Sequence, residues 1–273
     1  MKILDSVALV TGGNRGIGEA FVRPLLQAGA RRVYVGSRVV ADAKHLEQES
    51  SGRAITVRLD VTDPQHVIAA AQSCADVSIL VNNAGAFHKT TLLGAPDLAA
   101  ARDEMEVNYF GPLQLCRAFA PILQKNGGGA IVNVLSAAGL VALPGMGGYS
   151  PSKFAGHAAT TCIRAELASQ KTLVTALMVG SVDTRMAAHV EGRKVHPMDT
   201  ALAGLRAIEQ EIDEVDTDAM AIEVRAALAR DPKALERSMA KLLAVAISTG
   251  HSQAPHKATW MSATGRQTTT SPP

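Results

Sequence analysis

Aromatic residues make up only 3% of the 273-residue chain: five Phe, three Tyr and one Trp. A core with so few rings must be aliphatic. The 47% hydrophobic share, mostly Ala, Val and Leu, suits parallel strands covered on both faces by helices. Cysteine is also sparse: Cys74, Cys116 and Cys162 form an odd set without C-x-x-C spacing, so they are expected to be reduced thiols in a cytoplasmic protein. No basic run occurs, and 27 basic residues against 25 acidic leave a formal net charge of +2, which gives a nucleic-acid partner no electrostatic footprint. No stretch approaches the roughly 20 apolar residues of a membrane-spanning helix. The eight histidines lack H-E-x-x-H or similar spacing, so no metal site is expected. Ser150 and Ser152 are outside any G-x-S-x-G setting, which leaves a hydrolase elbow without support.

What is present is alternation. The apolar run in "MKILDSVALVTGG" leads straight into glycines and has no cleavage signal, so it reads as a first strand and not a signal peptide. β-Branched runs at 6–11, 32–36, 54–60, 77–83, 130–136 and 173–179 read as buried strands, with "DEVDT" (213–217) a candidate for a short last one. Helical patterns separate them at 16–29, 64–75, 97–126 and 150–170, and continue over 200–247. This order predicts an α/β fold with a Rossmann-like, doubly wound parallel sheet in a single domain over 1–250. The polar tail at 251–273, with Trp260, lacks periodicity and is expected to be disordered.

"TGGNRGIG" (11–18) follows the first strand and opens a helix. Glycines there let the backbone approach a pyrophosphate, whose charge then faces the helix N-terminus. Gly12, Asn14, Arg15, Gly16, Ile17 and Gly18 are the candidate contacts, although the spacing is G-x-x-x-G-x-G and not G-x-G-x-x-G. A carboxylate closing the second strand would grip the ribose of NAD. Ser37 and Arg38 stand there instead, and with Arg15 they suit a 2′-phosphate, so the expected cofactor is NADP(H).

In "GYSPSKFAGHA" (147–157), Tyr149 and Lys153 fall on one face of a helix that starts near Gly148. "TGGNRGIG", "NNAG" (82–85), Asn108 in "EVNYFG", Ser136 at a strand end and the Tyr149/Lys153 pair occur in one order. Together they resemble the short-chain dehydrogenase/reductase family over roughly residues 5–185. The resemblance implies a seven-stranded Rossmann-like sheet and hydride transfer between a nicotinamide and a carbonyl or alcohol. It implies that Tyr149 is the acid/base and that Lys153 is its partner and a ribose ligand. Ser136 would hold the substrate oxygen, and Asn108 would support a water in the proton relay. Asp60 and Val61 would lie near the adenine, Asn83, Ala84 and Gly85 would support the sheet and cofactor, and Gly180, Val182 and Thr184 would contact carboxamide and phosphates. Val179 departs from the family, which commonly has proline there, and the D-G-G ending of many tetrameric members is missing.

The chemistry is consistent with those roles. A phenol near pKa 10 carries a proton at neutral pH, ready for a ketone oxygen that gains charge. A neighbouring ammonium lowers the cost of phenolate in the reverse direction. The expected substrate is a small, apolar carbonyl compound or alcohol, in a pocket built from Ser136–Gly139, Leu143–Met146 and the loop after Thr184, with Leu140 and Val141 adding apolar surface and Phe87 and His88 at the rim. Residues 185–200 form the expected lid, where Arg185, His189 and Arg193 either hold an acidic group or are solvated. A homodimer or homotetramer is expected. The alternatives are a nonenzymatic NADP(H) sensor or scaffold, and a 3-oxoacyl-thioester reductase.

Overall fold

The computed structural model describes residues 1–248, so the expectations for 251–273 lie outside the described residues. Seven strands form one parallel sheet: β1 (Val7–Thr11), β2 (Arg32–Ser37), β3 (Ala54–Arg58), β4 (Ile79–Asn82), β5 (Gly129–Val134), β6 (Thr172–Met178) and β7 (Glu214–Asp216). Their spatial order is β3-β2-β1-β4-β5-β6-β7, so the direction of winding reverses between β1 and β4. A reversal of this kind opens a crevice at the carboxyl ends of the strands. The glycine loop leaves β1 there, and "NNAG" leaves β4 there.

The helices are α1 (Gly16–Gln27), α2 (Lys44–Glu49), α3 (Pro64–Ser73), α4 (Ala99–Met105), α5 (Gly111–Lys125), α6 (Tyr149–Leu167), α7 (Pro197–Gln210), α8 (Ala219–Arg230) and α9 (Pro232–Ser248). The short α2 has no counterpart in the sequence expectations, because six residues are too few for a 3.6-residue repeat to show. Aliphatic side chains fill both faces of the sheet. Val10, Val33, Ile79 and Val132 pack on one side with α1 and α7 residues Phe21 and Ile208. Leu9, Leu80 and Ile131 pack on the other with Leu115 and Phe119 of α5. Such burial contributes about 1.5–3 kcal/mol per large side chain.

The expected helix over 97–126 is one helical path with a fault. Pro112 has no N–H to give to the Asn108 carbonyl, and the path crosses this point through a π turn, Glu106–Phe110. Asn108 is buried inside that turn. A third cluster joins Leu140 and Val141 to Ala221 and Val224 of α8 and to Leu235 and Met239 of α9.

Candidate active site

The crevice is a cavity of about 640 Å³ running from the ends of β2 and β3 to Tyr149. Gly12, Asn14, Arg15, Gly16, Ile17, Ser37, Arg38, Asp60, Val61, Asn83, Ala84, Gly85, Ser136, Tyr149, Lys153, Gly180, Val182 and Thr184 all line it. The cleft fits a dinucleotide in its details. Gly12 and Gly16 have φ of 60° and 56°, so the loop turns back under the helix terminus. A Cβ at Gly18 would lie 2.2 Å from the Gly12 carbonyl oxygen, which fixes how tightly the loop wraps. Arg15 leads into α1 without a side-chain cap, so the first N–H groups of the helix keep their donors for an anion.

Two loops are knitted together beneath this cradle. The Thr11 hydroxyl oxygen accepts from the N–H groups of Asn83 (2.9 Å) and Ala84 (3.0 Å), and the Asn83 amide donates back to the carbonyls of Thr11 and Gly12. At the far end, Arg15 and Arg38 are exposed. Ser37 is buried, and its hydroxyl donates to the Val39 carbonyl at 2.8 Å. That proton is committed to the backbone, which leaves the two arginines as the main anion donors. Asp42 and Asp60 stand on the same wall, with Asp60 fixed by accepting from the Thr62 N–H and hydroxyl.

The other end gathers Ser136, Tyr149 and Lys153, while Asn108 is buried behind them and does not line the cleft. Ser136 closes β5 in extended backbone, and its hydroxyl accepts from the Ala138 N–H at 3.1 Å. It also meets the Tyr149 phenol. Lys153 is buried one helical turn after Tyr149. Its ammonium donates to the Val134 carbonyl at 3.0 Å and lies 5.6 Å from the Tyr149 ring centre. Asn108 holds the loop after β4 at both ends of its amide: it accepts from the Ala86 N–H and donates to the Ala86 carbonyl, each at 2.9 Å. The same amide nitrogen donates to the Ser152 hydroxyl, which donates at 2.6 Å to the Tyr149 carbonyl. A cavity of about 20 Å³ between Asn108, Pro112 and Lys153, walled also by Asn82 and Asn133, has the room of one water molecule.

Electrostatics differ from the sequence expectation in one respect. Tyr149 is half-buried by surface area, yet the atoms packed around its phenol push it up to about 12. Contact with Ser136 pulls it back in part, and the charge of Glu104 pushes it further up. Burial alone brings Lys153 down to about 8. Desolvation therefore weighs on both members of the pair, and the Lys153 ammonium, turned toward a backbone carbonyl, does not offset it for the phenol.

The expected apolar pocket needs correcting. Leu140 and Val141 are buried against α8 and α9, and Leu143 packs on the same cluster, because the two C-terminal helices cover that side of the chain. None of the three, nor Met146, lines the cleft. Beyond Tyr149 the wall consists of Phe87, His88, Asp103, Arg185, Met186 and Ala187, a mixture of apolar and charged groups. The Phe87 ring stands 5.0 Å from Tyr149 and 5.7 Å from His189, while His88 pairs with Asp103 at 2.6 Å. Arg193 is exposed and does not reach the cleft. The segment expected to be a lid begins with a 3-10 turn, Arg185–Ala187, and is pinned at its base where Val182 bridges Val195.

Four supporting residues escaped the sequence reading. Ser150, whose hydroxyl donates to the Ala138 carbonyl at 2.6 Å, ties α6 to the turn after β5. Ser152 is the link from Asn108 to Tyr149. Asp218 caps α8 and accepts from the Gly180 N–H at 2.7 Å, holding the strand end where Val179 replaces a proline. Glu104 is fully buried beside Gly148. Only Asp218 carried a signal, an Asp placed before a helical run. Among the described residues no group of His, Cys, Asp or Glu could hold a metal ion, and no helix is long and apolar enough to cross a membrane.

Known proteins share this arrangement. A short-chain dehydrogenase from Burkholderia cenocepacia J2315, solved in complex with NADP, is 41% identical, with a TM-score of 0.83 over 88% of this chain and 99% of that one. A 7α-hydroxysteroid dehydrogenase solved with NADH and 7-oxo glycochenodeoxycholic acid is 27% identical, with a TM-score of 0.71 over 76% and 89%. Dehydrogenase/reductase SDR family member 7B of Bos taurus is 30% identical over 217 residues, which is 74% of this chain and 66% of that protein, just under two thirds of its length. The family model for short-chain dehydrogenases matches residues 6–195, from β1 to the base of the segment after β6. With the sheet order, the glycine cradle and the Tyr149–Lys153 helix in place, the chain belongs to the short-chain dehydrogenase/reductase family of oxidoreductases.

Proposed function

We propose that this chain is an NADP(H)-dependent oxidoreductase that interconverts a ketone or aldehyde and an alcohol, with Tyr149 as acid/base. The observation that carries the reading is the convergence of the Tyr149 phenol, the Ser136 hydroxyl and the buried Lys153 ammonium at one end of a dinucleotide-sized cleft. Arg15 and Arg38 at the other end favour a cofactor with a 2′-phosphate. The NADP bound in the Burkholderia relative supports the same choice.

The backbone N–H groups at the start of α1 would hold the pyrophosphate, and Lys153 the nicotinamide ribose. Thr184 and Val182 would close over the carboxamide. The chemistry supplied by a nicotinamide dinucleotide, when bound, is two-electron reduction of the carbonyl carbon. Ser136 donates a hydrogen bond to the carbonyl oxygen and fixes its position. Tyr149 gives that oxygen its proton. The phenol is protonated at neutral pH, as giving a proton to the carbonyl oxygen requires. Lys153, with a water in the small cavity beside Asn108, returns a proton to the tyrosine.

The wall beyond Tyr149 suits a small carbonyl compound with an apolar body against Phe87 and Met186 and a polar substituent toward His88, Asp103 or Arg185. Exposed Phe110 and Phe154, on the π turn and on α6, suit a second copy of the chain and hence a homo-oligomer. The test is NADPH oxidation across aryl ketones, aliphatic ketones and a pantetheine-linked 3-oxo thioester. Turnover of simple ketones is expected. Tight NADPH binding with no turnover would point to a sensor, and turnover of the thioester alone would move the substrate class.

A further inference from the structure

Glu104 is a fully buried carboxylate for which the chemistry above has no use. It projects from α4, four residues before Asn108. One carboxyl oxygen accepts from the His88 N–H at 2.8 Å. The other has no well-formed hydrogen bond and sits against Gly148, where an added Cβ would come within 2.8 Å of it. Gly148 precedes the first residue of α6, Tyr149, and that helix has no side-chain cap of its own and no acidic residue in its first turn. The carboxylate therefore occupies, from another helix, the place where a cap would stand and where negative charge suits the helix dipole. Through His88 it also fixes the neighbouring Phe87, whose ring lies against Tyr149.

We propose that Glu104 is a positioning residue for Tyr149: from α4 it holds the first turn of α6 and the Phe87–His88 rim in one arrangement, and its charge sets how readily the phenol releases its proton. The charged and titratable groups around it are His88 from the loop after β4, Asp103 on its own helix, and Tyr149 on α6. The His88 ring is engaged by Asp103 and the Lys153 ammonium by the Val134 carbonyl, so neither is bonded to the buried carboxylate. Burial pushes the Glu104 carboxyl up, while the His88 and Gly148 N–H groups draw it back. As a carboxylate it opposes formation of phenolate at Tyr149. The inference rests on the reading of Tyr149 as proton donor.

The experiment is a titration of the full chain labelled with ¹³Cζ-tyrosine, followed by NMR with and without NADP⁺. The Tyr149 signal is identified by its loss in Tyr149→Phe. Glu104→Gln keeps an acceptor for the His88 N–H and removes the charge; Glu104→Met removes both the charge and that acceptor, and serves if the glutamine variant fails to fold. Both are expected to start the Tyr149 titration at lower pH than wild type, by about half a pH unit or more. In ketone reduction Glu104→Gln is expected to leave KM within about twofold, whereas Glu104→Met, which frees the rim, raises it about fivefold or more. An unmoved Tyr149 titration in both variants overturns the proposal. Because the titration needs no turnover, it reads Glu104 even if every carbonyl substrate fails, which would count against the functional reading instead.

Discussion

Replacing Lys153 with methionine is expected to abolish function and stabilise the protein without added nucleotide, and the size of the gain follows from burial. The ammonium is pressed from the ordinary lysine value of 10.5 down to about 8. At about 1.4 kcal/mol per pH unit, keeping it charged in the folded protein costs about 3 kcal/mol. The folded protein binds fewer protons than the unfolded chain between pH 8 and 10.5, so its stability rises with pH across that window. Below pH 8 the cost is present in full; by pH 10 about 1 kcal/mol of it remains. Methionine fills a similar volume and carries no charge, but it leaves the Val134 carbonyl without its donor, a loss of about 1–2 kcal/mol. Lys153→Met is thus expected to be about 1–2 kcal/mol more stable than wild type at pH 7 and no more stable at pH 10. Urea denaturation at the two pH values measures both. A stability difference that does not change with pH would refute the reasoning, because it would mean that the buried ammonium bears no desolvation cost.

Two further outcomes follow from the geometry. Arg38→Asp is expected to weaken NADPH binding by about 10–100-fold and leave NADH binding unchanged or improved, since a carboxylate would replace one of the two exposed cations, Arg15 and Arg38, at one end of the cleft; fluorescence titration with both nucleotides checks this. Asp218→Ala removes the α8 cap and the acceptor for the Gly180 N–H, and is expected to cost about 1–2 kcal/mol by chemical denaturation while also loosening nucleotide binding at Gly180.

Much of this architecture could be read from residue patterns, because its main elements are long and repetitive. The six main strands are β-branched runs between helical segments, and each formed within a few residues of the expected bounds. Even the three-residue β7 lay inside "DEVDT". The wall of the cleft was equally legible, since glycines and "NNAG" sit at strand ends that a parallel sheet must bring to one edge. What escaped depends on contacts between distant segments. Leu140 and Val141 look like pocket walls in sequence because they follow Ser136; only the path of α8 and α9 shows that they are core. Glu104 looks like a solvated helix residue beside Asp103, and its burial follows from how closely α4 approaches Gly148. Ser37 reads as a phosphate ligand until its proton is seen to be spent on Val39.

The kinetics of Tyr149→Phe show whether the phenol is the group that moves the proton. Removing one oxygen atom leaves the ring, its packing on Phe87 and the cleft in place. If Tyr149 is the acid/base, kcat for ketone reduction falls by about 10²–10⁴-fold while NADPH affinity stays within about threefold. A phenylalanine variant that reduces ketones at the wild-type rate would contradict that role.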